Sequence, residues 1–205
     1  MLRKQVVAVL VLAGLLGSVG PVLAASLHEA LELQGIRFTV SCENDGSLNT
    51  LRIQPRGLRS DNALITRRIE GTATGAEVAD LNADGSPEVF VYVTSAGAGS
   101  YGSLVAYAAN HKKSLAEIYL PPLTDNREAS QGYMGHDEFA VVENRLARRF
   151  PIYRLGDTNG APTGGSRQIN YQLVAGEAGR VLKIADWYEY DPDLDEAVVV
   201  EPLSR

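Results

Sequence analysis

The sequence predicts an all-β protein, an antiparallel β-sandwich or flattened barrel of about eight or more strands. Three observations carry this. Short apolar runs follow one another closely, separated by Gly, Pro, Asn and Asp turn residues. Two segments alternate strictly: Ile36, Phe38, Val40 and Cys42 against Arg37, Thr39 and Ser41, and Ile169, Tyr171 and Leu173 against Gln168, Asn170 and Gln172. A period of two sets one row of side chains on a core and the other in water. Helical 3.6-residue periodicity is scarce. No internal repeat or linker divides the chain, which reads as one domain over residues 25–205.

The first 24 residues are set apart. Arg3-Lys4, the apolar run Val6 to Leu16 and the small-residue stretch ending at Ala24-Ala25 form a secretory leader, too short in its apolar part to span a membrane comfortably. No cysteine stands at the cleavage site, so a lipid anchor is not expected. Removing the leader takes Arg3 and Lys4 with it and moves the formal charge from −6 to −8. An acidic exported protein is poorly suited to nucleic acid or anionic lipid and better suited to a cationic partner. Cys42 is the single cysteine and falls on the apolar face of its segment, which predicts a buried thiol and no internal disulfide.

Residues 26–34 read as one or two helical turns or a loose arm. Ile36–Cys42 is a half-buried strand, Glu43–Ser47 a turn, and Leu51 and Ile53 mark the return strand. Asn62–Glu70 and Gly75–Leu81 are further strands. Val89–Val93 and Leu104–Ala108 are two buried strands flanking Thr94–Ser103. Leu115–Leu120 ends at Pro121-Pro122, and residues 121–135 are irregular. His136–Asn144, Leu146–Tyr153 and Arg167–Leu173 follow, with a loop over 156–165, and Val181–Ala185 is the last strong strand. The acidic stretch Asp186–Arg205 reads as a tail in which Val198–Val200 adds an edge.

The chain is organised around Thr94–Ser103, Thr-Ser-Ala-Gly-Ala-Gly-Ser-Tyr-Gly-Ser. It is longer than the two to five residues of a tight hairpin. Gly97, Gly99 and Gly102 remove bulk and permit positive φ, so the loop can protrude and approach another surface, with Tyr101 as its one large side chain.

Asp80, Asn82, Asp84 and Glu88, with Gly85 between them, have the oxygen spacing of a calcium loop, but Val91 stands where an EF-hand has its bidentate glutamate. The same residues also fit an Asx-rich turn. A secreted calcium-dependent binding module is therefore the alternative function. A hydrolase using His136 with Asp137 or Glu138 is a third reading, which nothing in the spacing favours. No zinc or phosphate-loop motif is present, so no cofactor is expected. Arg145, Arg148, Arg149 and Arg154 read as solvated or paired cations.

Several blocks together resemble the bacterial periplasmic inhibitors of invertebrate-type (I-type) lysozymes: Ala79–Tyr92, Ala98–Gly102, Gly132–Phe139 and Phe150–Tyr153. They occur in order and extend the resemblance over roughly residues 36 to 188. The resemblance implies a periplasmic β-sandwich, not an enzyme, that inserts a loop into the lysozyme cleft and so protects peptidoglycan. Gly99 and Tyr101 match the family's Ser-Gly-x-Tyr motif, while Ala98 stands at the serine position. Ser95 and Ser100 are the nearest replacement hydroxyls. The expected contact set is Ser95, Gly97, Ala98, Gly99, Ser100, Tyr101 and Gly102, supported by Tyr133 and His136. Oligomeric state is open, a homodimer included.

Overall fold

The computed structural model describes residues 25–177 and 179–190 and the backbone of Ala197–Val200. The expected secretory leader and most of the expected acidic tail lie outside the described residues. The strands fall into three antiparallel meanders. The first is β1 (Leu27–Leu33), β2 (Ile36–Cys42), β3 (Leu48–Arg56) and β4 (Ile65–Glu70), a four-stranded sheet of its own. The second is β5 (Thr72–Ala79), β6 (Glu88–Thr94), β7 (Gly102–Asn110) and β8 (Ser114–Tyr119); the third is β9 (Glu138–Val142), β10 (Arg145–Pro151), β11 (Ser166–Ala175) and β12 (Arg180–Tyr190). The last two merge into one sheet, ordered β5-β6-β7-β8-β12-β11-β10-β9, through a short parallel pairing of Ile118 with Arg180 and Tyr119 with Val181. β13 (Ala197–Val200) adds to the other end of β12.

The large sheet curls into a nearly closed barrel. Its two ends, β5 and β9, meet at a seam where the Glu77 carboxylate accepts the Val141 N–H at 2.6 Å and the Tyr92 hydroxyl. A side chain therefore spans the gap between the two end strands. The all-β expectation holds, as a sandwich built onto a barrel.

Two cores explain the apolar runs. Val89, Val91 and Val93 pack with Phe38, Val40, Leu51 and Ile53 between the four-stranded sheet and the barrel wall. Phe90 points the other way, into the barrel interior with Phe150, Ile169, Leu182 and Trp187. β6 is continuously apolar because both its faces are covered, whereas a strand with one wet face alternates. Cys42 is buried in the first core, as its apolar register predicts.

Two expectations are corrected. Residues 27–33 form neither helical turns nor a loose arm: they are β1, paired along its whole length with β2. Leu27 and Leu31 satisfy a helical spacing and a strand spacing equally. The two-residue turn Gln34-Gly35 decides between them, because both residues have φ > 0 (52° and 82°), the hairpin conformation whose twist matches the strands. The acidic tail also begins later than expected. β12 continues through Asp186–Tyr190, since Trp187 is buried in the barrel while Asp186 and Glu189 bond Asn170 and Arg167. The Val198–Val200 edge is present as β13.

Candidate functional site

The hairpin between β6 and β7 carries the predicted loop, narrowed from Thr94–Ser103 to Ser95–Tyr101 because Thr94 pairs with Gly102 and Val93 with Ser103 in the strands. Its base is closed twice between the same two residues. The Ser95 N–H donates to the Tyr101 carbonyl and the Tyr101 N–H donates to Ser95 Oγ, each at 2.9 Å. Above that base the Ser100 N–H donates to the Gly97 carbonyl at 3.0 Å. Ala96, Gly97 and Ala98 are exposed, and Tyr101 is 47% exposed. The N–H groups of Ala96, Ala98 and Gly99 have no hydrogen-bond partner among the described residues.

Gly99 and Gly102 act by leaving space and not through positive φ. None of Gly97, Gly99 and Gly102 adopts φ > 0, and it is Ser100 that does, at 41°. A Cβ on Gly99 would lie 2.4 Å from the Tyr101 ring, and one on Gly102 would lie 2.5 Å from the Asp137 Cβ. Gly97 has open space around it.

The block 132–139, far away in sequence, supports this loop. The His136 N–H donates to the Gly99 carbonyl at 2.8 Å, and the Gly102 N–H donates to Asp137 Oδ2 at 2.7 Å. Gly135 adopts φ 97°, and a Cβ there would meet the Gly99 oxygen at 2.0 Å, so only glycine lets the two backbones come this close. Tyr133 lies edge-on beneath Tyr101, with ring centroids 5.7 Å apart, and edge-on to Phe150 at 4.8 Å. Three of the blocks that carried the family resemblance thus meet at one end of the barrel.

Asp137 and Arg148 form the buried centre of that support. Their side chains are 0% and 6% exposed and are joined by Arg148 Nε to Asp137 Oδ1 at 2.6 Å. The Tyr133 hydroxyl donates to Asp137 Oδ2 at 2.6 Å and accepts from Arg148 at 2.7 Å. Burial acts to lower the Arg148 pKa, but the adjacent Asp137 carboxylate outweighs it and holds the guanidinium above its ordinary value. Burial first, then the bond to Asp137, raise the Tyr133 phenol. The guanidinium also lies over the Tyr133 ring, 5.0 Å from its centroid.

Of the predicted residues, the structure brings Ser95, Gly97, Ala98, Gly99, Ser100, Tyr101, Gly102, Tyr133 and His136 together. Tyr133 and His136 lie beneath the loop. Asp137 spends both oxygens on Gly102, Tyr133 and Arg148, while His136 Nε2 is buried without a hydrogen-bond partner. Sequence reasoning missed the roles of Gly135, Asp137 and Arg148. Gly135 carried a legible signal as the second glycine of a Gly-x-x-Gly turn, but an arginine in an alternating strand looks the same whether it meets water or a buried acid.

The second candidate, Asp80–Glu88, lies elsewhere and is bonded to its own backbone. Asp80 accepts from the N–H groups of Asp84 and Gly85, Asn82 from Asp84, Asp84 from Ser86, and Glu88 from Leu81 at 2.8 Å. This is an Asx turn of the kind the sequence also allowed. Among the described residues, no group of three or more His, Cys, Asp or Glu side chains is arranged to hold a metal ion.

No protein-family model matches the chain, and comparison with curated proteins finds no match.

Proposed function

We propose that this chain is a periplasmic inhibitor of lysozyme, of the invertebrate-type class, that plugs the enzyme's cleft with Ser95–Gly102. The observation that carries the reading is the convergence of Ala98–Gly102, Gly132–Phe139 and Phe150–Tyr153 on one protruding, doubly closed loop. A glycosidase cleft of this type works with two carboxyl groups. The loop offers what such groups accept: the free N–H groups of Ala96, Ala98 and Gly99 and the hydroxyls of Ser100 and Tyr101. Charge-assisted hydrogen bonds from these donors are stronger than neutral ones. Ser95 Oγ accepts the Tyr101 N–H at the loop base and keeps its own hydroxyl proton as a donor, so Ser95 stays a replacement hydroxyl beside Ser100. The Ser100 hydroxyl donates to the Gly97 carbonyl over a long 3.5 Å, a bond readily exchanged for one to the partner, and the Tyr101 hydroxyl completes the set. A loop fixed before binding loses little entropy on docking. The acidic chain, at −8 without its leader, steers towards a cationic enzyme.

The test is lysis of peptidoglycan-bearing cells by an invertebrate-type lysozyme, with an animal-type enzyme alongside. The mature protein is expected to protect in a dose-dependent manner. Tyr101→Ala is expected to weaken protection roughly 30-fold, the order of an aromatic hot spot, at unchanged melting temperature. Absence of protection against either enzyme, or full potency in Tyr101→Ala, would overturn the reading.

A further inference from the structure

A third loop, residues 154–164 between β10 and β11, reaches the same end of the barrel. It is organised by Asp157, whose carboxylate accepts from the Arg154 N–H at 2.7 Å, the Thr163 N–H at 2.9 Å and the Thr163 hydroxyl. The Arg154 bond first, then the Thr163 bonds, hold its carboxyl below the usual carboxylate range. Within this loop Asn159 donates from Nδ2 to the Ala98 carbonyl, at the tip of the plug. The Asn159 carbonyl in turn accepts the Tyr153 hydroxyl at 2.8 Å. The Tyr153 ring stacks on His136, with centroids 6.5 Å apart and planes at 27°, and the His136 N–H holds Gly99. The contacts close a ring from Ala98 through Asn159, Tyr153 and His136 back to Gly99.

From this ring we infer that the 154–164 loop is the second half of the binding surface, resting on the inhibitor reading. Asn159 is a positioning residue that fixes the tip of the plug. Leu155 is a contact for an apolar rim beside the partner's cleft. Among the described residues eight large hydrophobic side chains are exposed, and three of them, Tyr101, Met134 and Leu155, belong to the three loops that meet here. Leu155 is exposed beyond its reference value, at 107%, so the folded chain covers none of it. A lone exposed leucine means little; Leu155 enters the proposal because its loop is hydrogen-bonded to the tip of the plug. The loop is anchored through Asp157 before any partner arrives, so Leu155 is presented at low ordering cost.

Two measurements on the mature protein test this. In the first, amide hydrogen exchange of Ser95, Ser100 and Tyr101 is compared in the parent, Asn159→Ala and Asn159→Asp. Both variants are expected to exchange roughly 3- to 10-fold faster at those amides, the worth of one hydrogen bond, at unchanged melting temperature. The aspartate keeps the shape and loses the donor, so a role as filler would leave it like the parent. Unchanged exchange in both overturns the brace, whether or not a lysozyme binds. In the second, inhibition of the invertebrate-type lysozyme is measured for Leu155→Asp and Asn159→Ala. Each is expected to bind roughly ten-fold more weakly. Full potency of Leu155→Asp beside a weakened Tyr101→Ala removes the rim contact and leaves the plug reading standing. A parent that does not inhibit removes the plug reading and the rim contact together, and the exchange result alone then decides the brace.

Discussion

Asp137 is the residue whose surroundings matter most to the loop, since it bonds Gly102 from the plug, Tyr133 from the support and Arg148 from the barrel. Removing its charge leaves a guanidinium buried without compensation. Asp137→Asn is expected to cost about 3–5 kcal/mol, read as a fall in urea midpoint at constant slope. The double variant Asp137→Asn with Arg148→Met is expected to recover part of that loss. A single variant as stable as the parent would show that the pair does not matter. Gly135 acts by a different mechanism. With φ at 97° and the Gly99 oxygen in the way, Gly135→Ala is expected to strain the turn by about 1–3 kcal/mol and break the His136 to Gly99 bond. The His136 amide would then exchange faster. A variant with parental exchange at His136 would mean that the turn relaxes without letting go of the loop.

At the scale of elements, β6 combines two demands. Its apolar residues face two cores, yet it begins with Glu88, which is 1% exposed and accepts from Leu81. Burial first, with Asp80 and Asp84 nearby, pushes the Glu88 pKa up to about 7 from 4.5. The folded state therefore holds a proton that the unfolded state has released between those values, so this group's contribution is full below about pH 4.5 and is lost as pH rises through about 7. Glu88→Gln keeps an acceptor for Leu81 and carries no charge. Its gain in melting temperature over the parent is expected to be larger at pH 8 than at pH 5. Equal gains at both pH values would place the titration elsewhere. The same scale shows why β1 was hard to read. Leu27 and Leu31 fit helix and strand alike, and the decision lay in the backbone of Gln34-Gly35, which hydrophobic spacing does not report.

For the whole molecule, the all-β class and most strand positions were legible because alternation and turn residues are local. The Ser95–Tyr101 loop proposed as the plug was legible too, as a small-residue loop between two apolar runs. The curling of β5–β12 into a barrel was not, because it depends on the parallel joint of β8 with β12 and on the seam at Glu77. Nor was the support beneath the plug. Asp137 precedes β9 and Arg148 lies on β10, so the β9–β10 hairpin sets them side by side, but only the cover of Tyr133 and the plug-side Gly102 shows that the pair is buried.

The parallel joint between Ile118–Tyr119 and Arg180–Val181 has a kinetic meaning. Each meander consists of chain neighbours, but the joint ties residues about sixty positions apart in the chain, a slow kind of contact to form. The plug belongs to the second meander, and its supports from 132–139 and 154–164 belong to the third. A chain whose meanders have formed but not docked carries the loop without its braces. On the proposed inhibitor function, tight binding becomes available only when assembly is complete, and an inhibition assay on refolding protein doubles as a clock for its last step.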